Sequence, residues 1–359
     1  MTPTQPTPRL RVDDFDYDLP QAAIAQVPLE PRDASRLLVL DRRRSRPGRP
    51  HLTHLTFAEL GTQLRTGDLL VTNDSRVIPA RLPATRSSGG QAEVLVLRPM
   101  PDNVRWEALV RPSRRIDVGE RVTLRSGDVL EVGERLGDGT RAVRFYRDPL
   151  AVMGDAGEMP LPPYISDRSS AAERYQTVYA QPPGSAAAPT AGLHFTPRLL
   201  DELEEQGIRR ANVTLHVGLD TFRPLEGSYI DEHHIHREWY EIPLAARRAM
   251  PAVRRAGGRV VAVGTTTVRV LETRAQGGAA SGWSSLYITP PHAFASIDAL
   301  ITNFHLPRSS LLLLVTAWVQ AGMRDASPYD ARDTLLAAYR AALEAGYRFF
   351  SFGDAMLIA

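Results

Sequence analysis

The hydrophobic period of the chain changes twice, and that change limits the fold more than any single motif. From Arg76 to about Asp155, short alternating runs are divided by Gly and Asp: Glu93–Leu97, Trp106–Val110, Arg121–Leu124, Val129–Val132 and Arg141–Tyr146. Alternation puts the apolar side chains of a strand on one face. Runs spaced by roughly 8–12 residues with turn signals between them predict a small antiparallel barrel or sandwich.

On either side of this block the pattern is different. Arg36–Asp41 and Asp68–Asp74 read as buried strands, Phe57–Leu64 as a short helix, and Arg42–Pro50 as a basic loop. Beyond about Leu161, strands are expected at Ala211–His216, Arg259–Gly264, Ala299–Phe304 and Arg348–Phe352. Helices are expected at Pro197–Glu205, Leu244–Ala256, Thr265–Arg274, Leu311–Gly322 and Pro328–Ala345. Thr196 is placed as an N-cap before Pro197, and Gly257–Gly258 as a helix stop. Alternating strands and helices predict a three-layer α/β domain, a mostly parallel sheet with helices on both faces. The expected organisation is a discontinuous α/β domain, residues 1–75 and 156–359, carrying a β-barrel at 76–155, with residues 1–10 as a disordered tail.

Composition removes whole classes of chemistry. The 359 residues contain no Cys, which excludes disulfides, thiolate nucleophiles and cysteine metal sites. They contain no Lys either, so all 43 cations are Arg, and a Schiff-base lysine or a Walker-type phosphate loop is excluded. The most apolar run, Leu311–Val319, is far short of the ~20 residues of a spanning helix. Met1–Pro8 has neither the cationic start nor the apolar stretch of a signal peptide. A cytoplasmic monomer with no membrane contact is the expectation. Residues 76–150 hold 14 Arg against 10 acids, whereas the rest of the chain holds 29 against 31. That asymmetry fits either a solvated surface or a module facing a polyanion.

Ligands of open α/β sheets collect at the carboxyl ends of strands. Five predicted strands end in polar groups: Asn73–Arg76, His216–Gly218, Gly264–Thr267, Asn303–His305 and Gly353–Asp354. One such end is an ordinary turn; five together predict a pocket. Val263–Arg269 reads as a strand–turn–helix unit whose free N–H groups and hydroxyls suit a carboxylate or phosphate. Gly184–Phe195 is a run of small residues that lets backbone lie against a flat ligand. His233, His234 and His236 invite a zinc reading, but no further ligand stands at tight spacing, and His equally serves as a donor to nucleic acid. Tyr175 and Tyr179, four apart, are expected on one helix face, for core packing or for ligand stacking.

Taken together these stretches resemble the S-adenosylmethionine:tRNA ribosyltransferase-isomerase family of queuosine biosynthesis. The resemblance rests on Phe15–Pro20, Leu70–Arg81, Arg174–Tyr179, Ala187–Phe195, Val213–Gly218, Val263–Arg269, Thr302–Pro307 and Tyr347–Asp354, which run in family order over nearly the whole chain. It implies an α/β domain with an inserted barrel. It also implies the reaction: the ribosyl part of S-adenosylmethionine moves to 7-aminomethyl-7-deazaguanine in a tRNA anticodon and rearranges to the epoxy-cyclopentane of epoxyqueuosine, with release of adenine and methionine. S-adenosylmethionine is then a consumed substrate, tRNA the partner, and no cofactor or metal is required.

Such a reaction needs a base for the acidic proton beside the sulfonium, an acid near adenine and donors for developing charge. The titratable residues in the matching stretches are Asp74, His194, His216, His305 and Asp354, and the sequence does not rank base against acid. Thr265, Thr266 and Thr267 with Arg269 suit the methionyl carboxylate; Tyr175, Tyr179 and Phe195 suit stacking on a base. Arg76, Thr190, Gly192 and Asn303 complete the expected substrate-binding set, and Arg111, Arg114 and Arg115 on the barrel are expected to meet RNA. Two other readings stand beside this one: a metal-dependent hydrolase built on the His233–His236 cluster, and a non-catalytic RNA-binding protein.

Overall fold

The computed structural model describes residues 9–102, 104–136, 139–162, 164–165, 174–218 and 225–359. Its frame is a nine-stranded sheet. In spatial order the first five strands are β15 (Ser281–Ser284), β13 (Glu238–Glu241), β12 (Arg209–Leu215), β3 (Leu69–Asn73) and β14 (Val260–Val263). The order continues with β16 (Ala299–Asn303), β17 (Ala355–Ile358), β1 (Arg36–Arg46) and β2 (Arg49–Thr56). The pairs β12–β3, β3–β14, β14–β16 and β17–β1 are parallel, and the other four neighbours are antiparallel. The sheet is therefore mixed, not mostly parallel.

The antiparallel pairs come from segments whose sequence hides them. The basic stretch Arg42–Pro50 is not a loop: it continues β1 and turns through Gly48 into β2. β13 and β15 are four residues each, Glu-Trp-Tyr-Glu and Ser-Gly-Trp-Ser, too short and too polar to read as apolar runs. The expected last strand at Arg348–Phe352 is irregular, because Phe350 sits at φ 69, outside the strand region; the strand is Ala355–Ile358.

Alternate residues of the central strands feed two separate cores. Leu38, Leu40, Val260 and Ala262 pack with helices Leu244–Arg255, Thr265–Ala275, Ser310–Gly322 and Pro328–Glu344. Leu37, Val39, Val261 and Val263 pack with the 3-10 helix Phe57–Gln63 and helix Pro197–Glu205. Caps fix where these helices start. Thr196 accepts from Leu199 N at 3.1 Å ahead of Pro197, and Ser327 and Asp330 form a capping box. β3 and β16 are buried along their whole length. Leu10, Val12 and Phe15 belong to the first core and Arg9 ion-pairs with Asp231, so residues 9 and 10 of the stretch expected as a tail are held in the fold; residues 1–8 lie outside the described residues.

Between β3 and the rest of the sheet the chain forms a closed six-stranded antiparallel barrel. Around the barrel the order is β10 (Arg141–Phe145), β7 (Arg105–Arg111), β6 (Gln91–Pro99), β5 (Arg81–Arg86), β8 (Glu120–Leu124) and β9 (Val129–Arg135). Its interior is filled by every second residue, among them Val94, Val96, Ala108, Val110, Leu130 and Val132. Closure leaves no strand edge open. Helix Pro149–Ala156 packs Val152 and Met153 into the same core, and Arg81 and Glu158 bridge where the chain enters and leaves. Two short strands, β4 (Arg76–Val77) and β11 (Pro183–Ser185), pair in parallel beside the insertion. Among the described residues, no helix is long and apolar enough to cross a membrane.

Candidate active site

The four mutually parallel strands β12, β3, β14 and β16 end along one edge of the sheet, and their next residues are His216, Asp74–Ser75, Gly264–Thr265 and Phe304–His305. β17 runs the other way, so Asp354, before its start, lies on the same edge. Gly264 is what lets β14 turn directly into a helix. Its φ of 90 lies in the left-handed region, and the turn leaves the N–H groups of Thr265 and Thr266 at the helix start.

Two adjoining cavities lie above this edge. The inner one, about 60 Å³, is lined by Tyr164, Thr190, Thr302, Asn303, His305 and Phe350 among others. The outer one, about 780 Å³, is walled by His216, Glu238, Trp239 and Arg269 on the sheet side and by Arg98, Glu107 and Thr140 of the barrel on the other. Thr265, Thr266 and Leu311 line both, so the helix start sits at their junction.

The three expected histidines have different situations. His216 lines the outer cavity. Its Nδ1 is hydrogen-bonded to Ser75 Oγ at 2.8 Å, its ring stacks on Trp239 (5.2 Å, 18°), and Gly184 lies so close that a Cβ there would be 2.8 Å from Nε2. His305 lines the inner cavity, with Nε2 bonded to Thr302 Oγ1 at 2.8 Å. His194 lines neither. Asn303 Nδ2 donates to its Nε2 at 3.0 Å, which leaves the Nδ1 proton for Ser35 Oγ at 2.8 Å, and its ring stacks on Phe57 at 5.0 Å. Burial lowers His216 to about 4 and His194 and His305 to about 3, so all three are neutral near pH 7.

The two carboxylates lie behind the cavity wall. Asp74 accepts from Thr214 Oγ1 at 2.7 Å; burial pushes its carboxyl upward, with the Thr214 bond opposing. Asp354 accepts from the backbone N–H groups of Arg36 (2.9 Å) and Arg348 (2.7 Å) and ties β1 to the last turn before β17. Neither lines either of these two cavities. Of the five expected catalytic residues, the geometry brings His216 and His305 to open space and gives His194, Asp74 and Asp354 bracing contacts.

The expected binding residues divide in the same way. Thr190 donates to Asn303 Oδ1 at 2.9 Å, and both line the inner cavity. Thr267 turns inward, where its hydroxyl donates to Val263 O at 2.7 Å. Arg269 is 7% exposed and donates to Glu238, to His236 O (2.7 Å) and to Ser284 O (3.1 Å). Its Nε is buried and has no hydrogen-bond partner among the described residues. Arg76 is exposed on β4, away from both cavities. Tyr175, Tyr179 and Phe195 are buried in core clusters and face neither cavity. No helix joins Tyr175 to Tyr179, which lie in bends and turns in separate clusters. Gly192 serves Tyr179 by its lack of a side chain: a Cβ there would be 2.1 Å from the Tyr179 hydroxyl. Arg111, Arg114 and Arg115 are exposed on the barrel. Arg111 lies four residues along β7 from Glu107, about 13 Å from the cavity wall.

Aromatic surface is supplied instead by Tyr164 and Phe350 in the inner cavity and Trp239, Trp283 and Tyr287 in the outer one. Sequence reasoning missed these, together with Glu238 and the partner role of Ser75. Ser75 stood in a polar strand end and was within reach; β13 and β15 gave no strand signal at all. His233, His234 and His236 line the outer cavity, with His233 5.7 Å from the Tyr287 ring. Among the described residues, no group of three or more His, Asp or Glu is arranged to hold a metal ion.

Comparison with known proteins adds what geometry alone does not give. Residues 12–358 match the family model described as queuosine biosynthesis protein. The chain is 50% identical over 355 residues to the S-adenosylmethionine:tRNA ribosyltransferase-isomerase of Heliobacterium modesticaldum, covering 96% of this chain and 98% of that one. It is 49% identical over 358 residues to the enzyme of the same name from Moorella thermoacetica, covering 97% and 100%. A crystal structure of S-adenosylmethionine tRNA ribosyltransferase from Thermotoga maritima is 37% identical and covers 96% of this chain and 100% of that one, with a TM-score of 0.54.

Proposed function

We infer that the chain, which belongs to the queuosine biosynthesis protein family, is an S-adenosylmethionine:tRNA ribosyltransferase-isomerase. The observation that carries its site is the junction of the two cavities. A helix N-terminus, a buried arginine and a fixed neutral imidazole line adjoining space, and the far wall is the barrel.

S-adenosylmethionine is the consumed substrate. Its methionyl carboxylate is assigned to the N-terminus of helix Thr265–Ala275, with the Thr265 and Thr266 hydroxyls as further donors and the Arg269 guanidinium as a nearby positive charge. Its ribose is assigned to the outer cavity and the edge of its adenine to the mouth of the inner one, whose roughly 60 Å³ takes only part of the nucleoside, beside Thr190, Asn303 and Tyr164, with His305 as the nearby proton donor or acceptor. The sulfonium finds the π-face of Trp239 and the Glu238 carboxylate in the outer cavity.

The electron-withdrawing sulfonium acidifies the 5′ C–H, and His216 takes that proton to give an ylide. The ylide electrons break the C4′–O4′ bond, leaving a C4′=C5′ vinyl sulfonium and a C1′ aldehyde as adenine departs and is protonated. The aminomethyl nitrogen of the tRNA base adds to C4′ and loses a proton, the regenerated C5′ ylide bonds to C1′ to close the cyclopentane, and the resulting C1′ alkoxide displaces methionine from C5′ to close the epoxide. His216 is placed for the first step by geometry: its ring lines the outer cavity, and Ser75, Trp239 and Gly184 hold it in one orientation.

The barrel, read as the functional unit 76–155, presents Arg111, Arg114 and Arg115 to the tRNA, while 1–75 with 156–359 hold the chemistry. The reading takes the protein as a monomer acting in the cytoplasm, where tRNA is found. The test uses S-adenosylmethionine labelled with ¹³C in the ribose. Nuclease digestion of the tRNA should give a labelled epoxyqueuosine nucleoside. A labelled methyl donor that instead leaves its methyl on the RNA would contradict the reading.

A further inference from the structure

We propose that Trp283, flanked by Arg98 and Arg237, is a stacking subsite for one unpaired nucleobase of the RNA, the immediate neighbour of the base that enters the cleft. This rests on the reading above that the outer cavity receives an RNA base.

The observation is a row of aromatic rings. β12, β13 and β15 are adjacent, and their register places His216, Trp239 and Trp283 side by side. His216 N donates to Trp239 O at 3.0 Å, and Trp239 is the cross-strand partner of Trp283. All three line the outer cavity. At about 4.8 Å per strand, the row carries aromatic surface about 10 Å outward from His216 to the rim. Trp283 stands at its outer end, on the edge strand of the sheet. It is 40% exposed, whereas Trp106 and Trp318 are buried.

Charge at the rim says what would cover this ring. The Arg98 guanidinium, from the barrel, lies 5.1 Å from the Trp283 ring centroid, and that of Arg237, from the start of β13, lies 5.9 Å away. Elsewhere in the molecule Arg42 covers Trp318 at 3.4 Å and Arg36 covers Tyr347 at 3.8 Å, so the Trp283 ring is not capped in that way. Arg98 is balanced by Glu107 at 2.5 Å and reaches Arg237 O at 3.3 Å; Arg237 has no carboxylate partner among the described residues. A part-exposed indole with two arginines over its ring at 5.1 and 5.9 Å, one of them without a carboxylate partner among the described residues, complements a flat base attached to a phosphate.

The distance fits the need. An enzyme that works on a base must take it out of its stack. The base next to it then loses a neighbour, and about 10 Å along the row exceeds the ~3.4 Å rise of a stacked strand. RNA reaching both His216 and Trp283 therefore has its two bases unstacked from each other, and Trp283 replaces the lost contact.

The test is a cycle between protein and RNA, read as binding of an anticodon stem-loop containing 7-aminomethyl-7-deazaguanine. Trp283→Ala should weaken stem-loop binding about 5- to 150-fold, as loss of one base–aromatic stack does, and leave the KM for S-adenosylmethionine unchanged. Trp283→Phe should recover most of the loss. An abasic nucleotide immediately 5′ or 3′ of the modified base should cause a similar loss in the wild type and almost none on top of Trp283→Ala. Unchanged RNA affinity in Trp283→Ala, or losses that simply add at both neighbouring positions, would overturn the proposal while wild-type turnover still upheld the enzyme reading. Absence of wild-type turnover on the intact stem-loop would remove the premise and the proposal with it.

Discussion

Ser75 Oγ lies 2.8 Å from His216 Nδ1, joining the ends of two neighbouring parallel strands at the mouth of the outer cavity. Ser75 is fully buried, so this bond orients the imidazole from behind and leaves its opposite edge for a substrate. If His216 is the base, His216→Ala should lower kcat by about 10²- to 10⁴-fold. Ser75→Ala should give a smaller loss that falls on kcat, with the KM for S-adenosylmethionine almost unchanged. Single-turnover adenine release checks both. A KM effect without a kcat effect would make His216 a binding residue.

The buried histidines should make the protein sensitive to acid. His194 and His305 titrate at about 3 and His216 at about 4 in the folded state, against about 6.5 for a free histidine. Between those values the unfolded chain binds more protons than the folded one. The contribution is therefore fully present above about pH 6.5 and is lost as pH falls toward 4. Each histidine can remove up to about 1.4 kcal/mol per pH unit across that window. Urea midpoints should fall between about pH 7 and about pH 5, and His194→Asn should flatten the slope. A midpoint that stays constant over that range would contradict the buried neutral state.

The helix start at the cavity junction should discriminate a carboxylate. An S-adenosylmethionine analogue lacking the methionyl carboxylate should bind roughly 10- to 150-fold more weakly, the loss of a charge-assisted hydrogen bond of about 1.5–3 kcal/mol. The same analogue should lose much less on a Thr265→Val, Thr266→Val protein, because the partner is already gone. Additive penalties by calorimetry would place the carboxylate elsewhere.

The exposed barrel arginines should act on RNA alone. Arg114→Ala with Arg115→Ala should raise the KM for tRNA and leave that for S-adenosylmethionine unchanged. If both contact phosphate, the slope of log affinity against log salt should become shallower by about 1.4–1.8. An unchanged slope would leave these side chains as plain surface.

What the sequence disclosed follows the range of the forces involved. The barrel was legible because period-two alternation is local, and the helix starting at Pro197 because Thr196 caps it three residues away. The mixed sheet was not: β13 and β15 acquire strand structure from pairing with β12 and with each other, not from apolar content of their own. His194 and His216 look alike in sequence, each ending a stretch of small or polar residues. What separates them is remote in the chain: Asn303, 109 residues from His194, turns one ring into a brace, and Ser75, 141 residues from His216, turns the other toward open space. Tyr175 and Tyr179 carried a helical spacing that backbone turns and two different cores override.

The central claim is that the cleft moves the ribosyl group of S-adenosylmethionine to a base in tRNA, and the ratio of small products tests it most directly. Enzyme, S-adenosylmethionine and tRNA carrying 7-aminomethyl-7-deazaguanine are mixed, and adenine and methionine are followed together by chromatography. The account predicts that both appear in equal amounts, only when the modified tRNA is present, and that His216→Ala slows both alike. Formation of S-adenosylhomocysteine, or adenine release that does not depend on the tRNA, would contradict it.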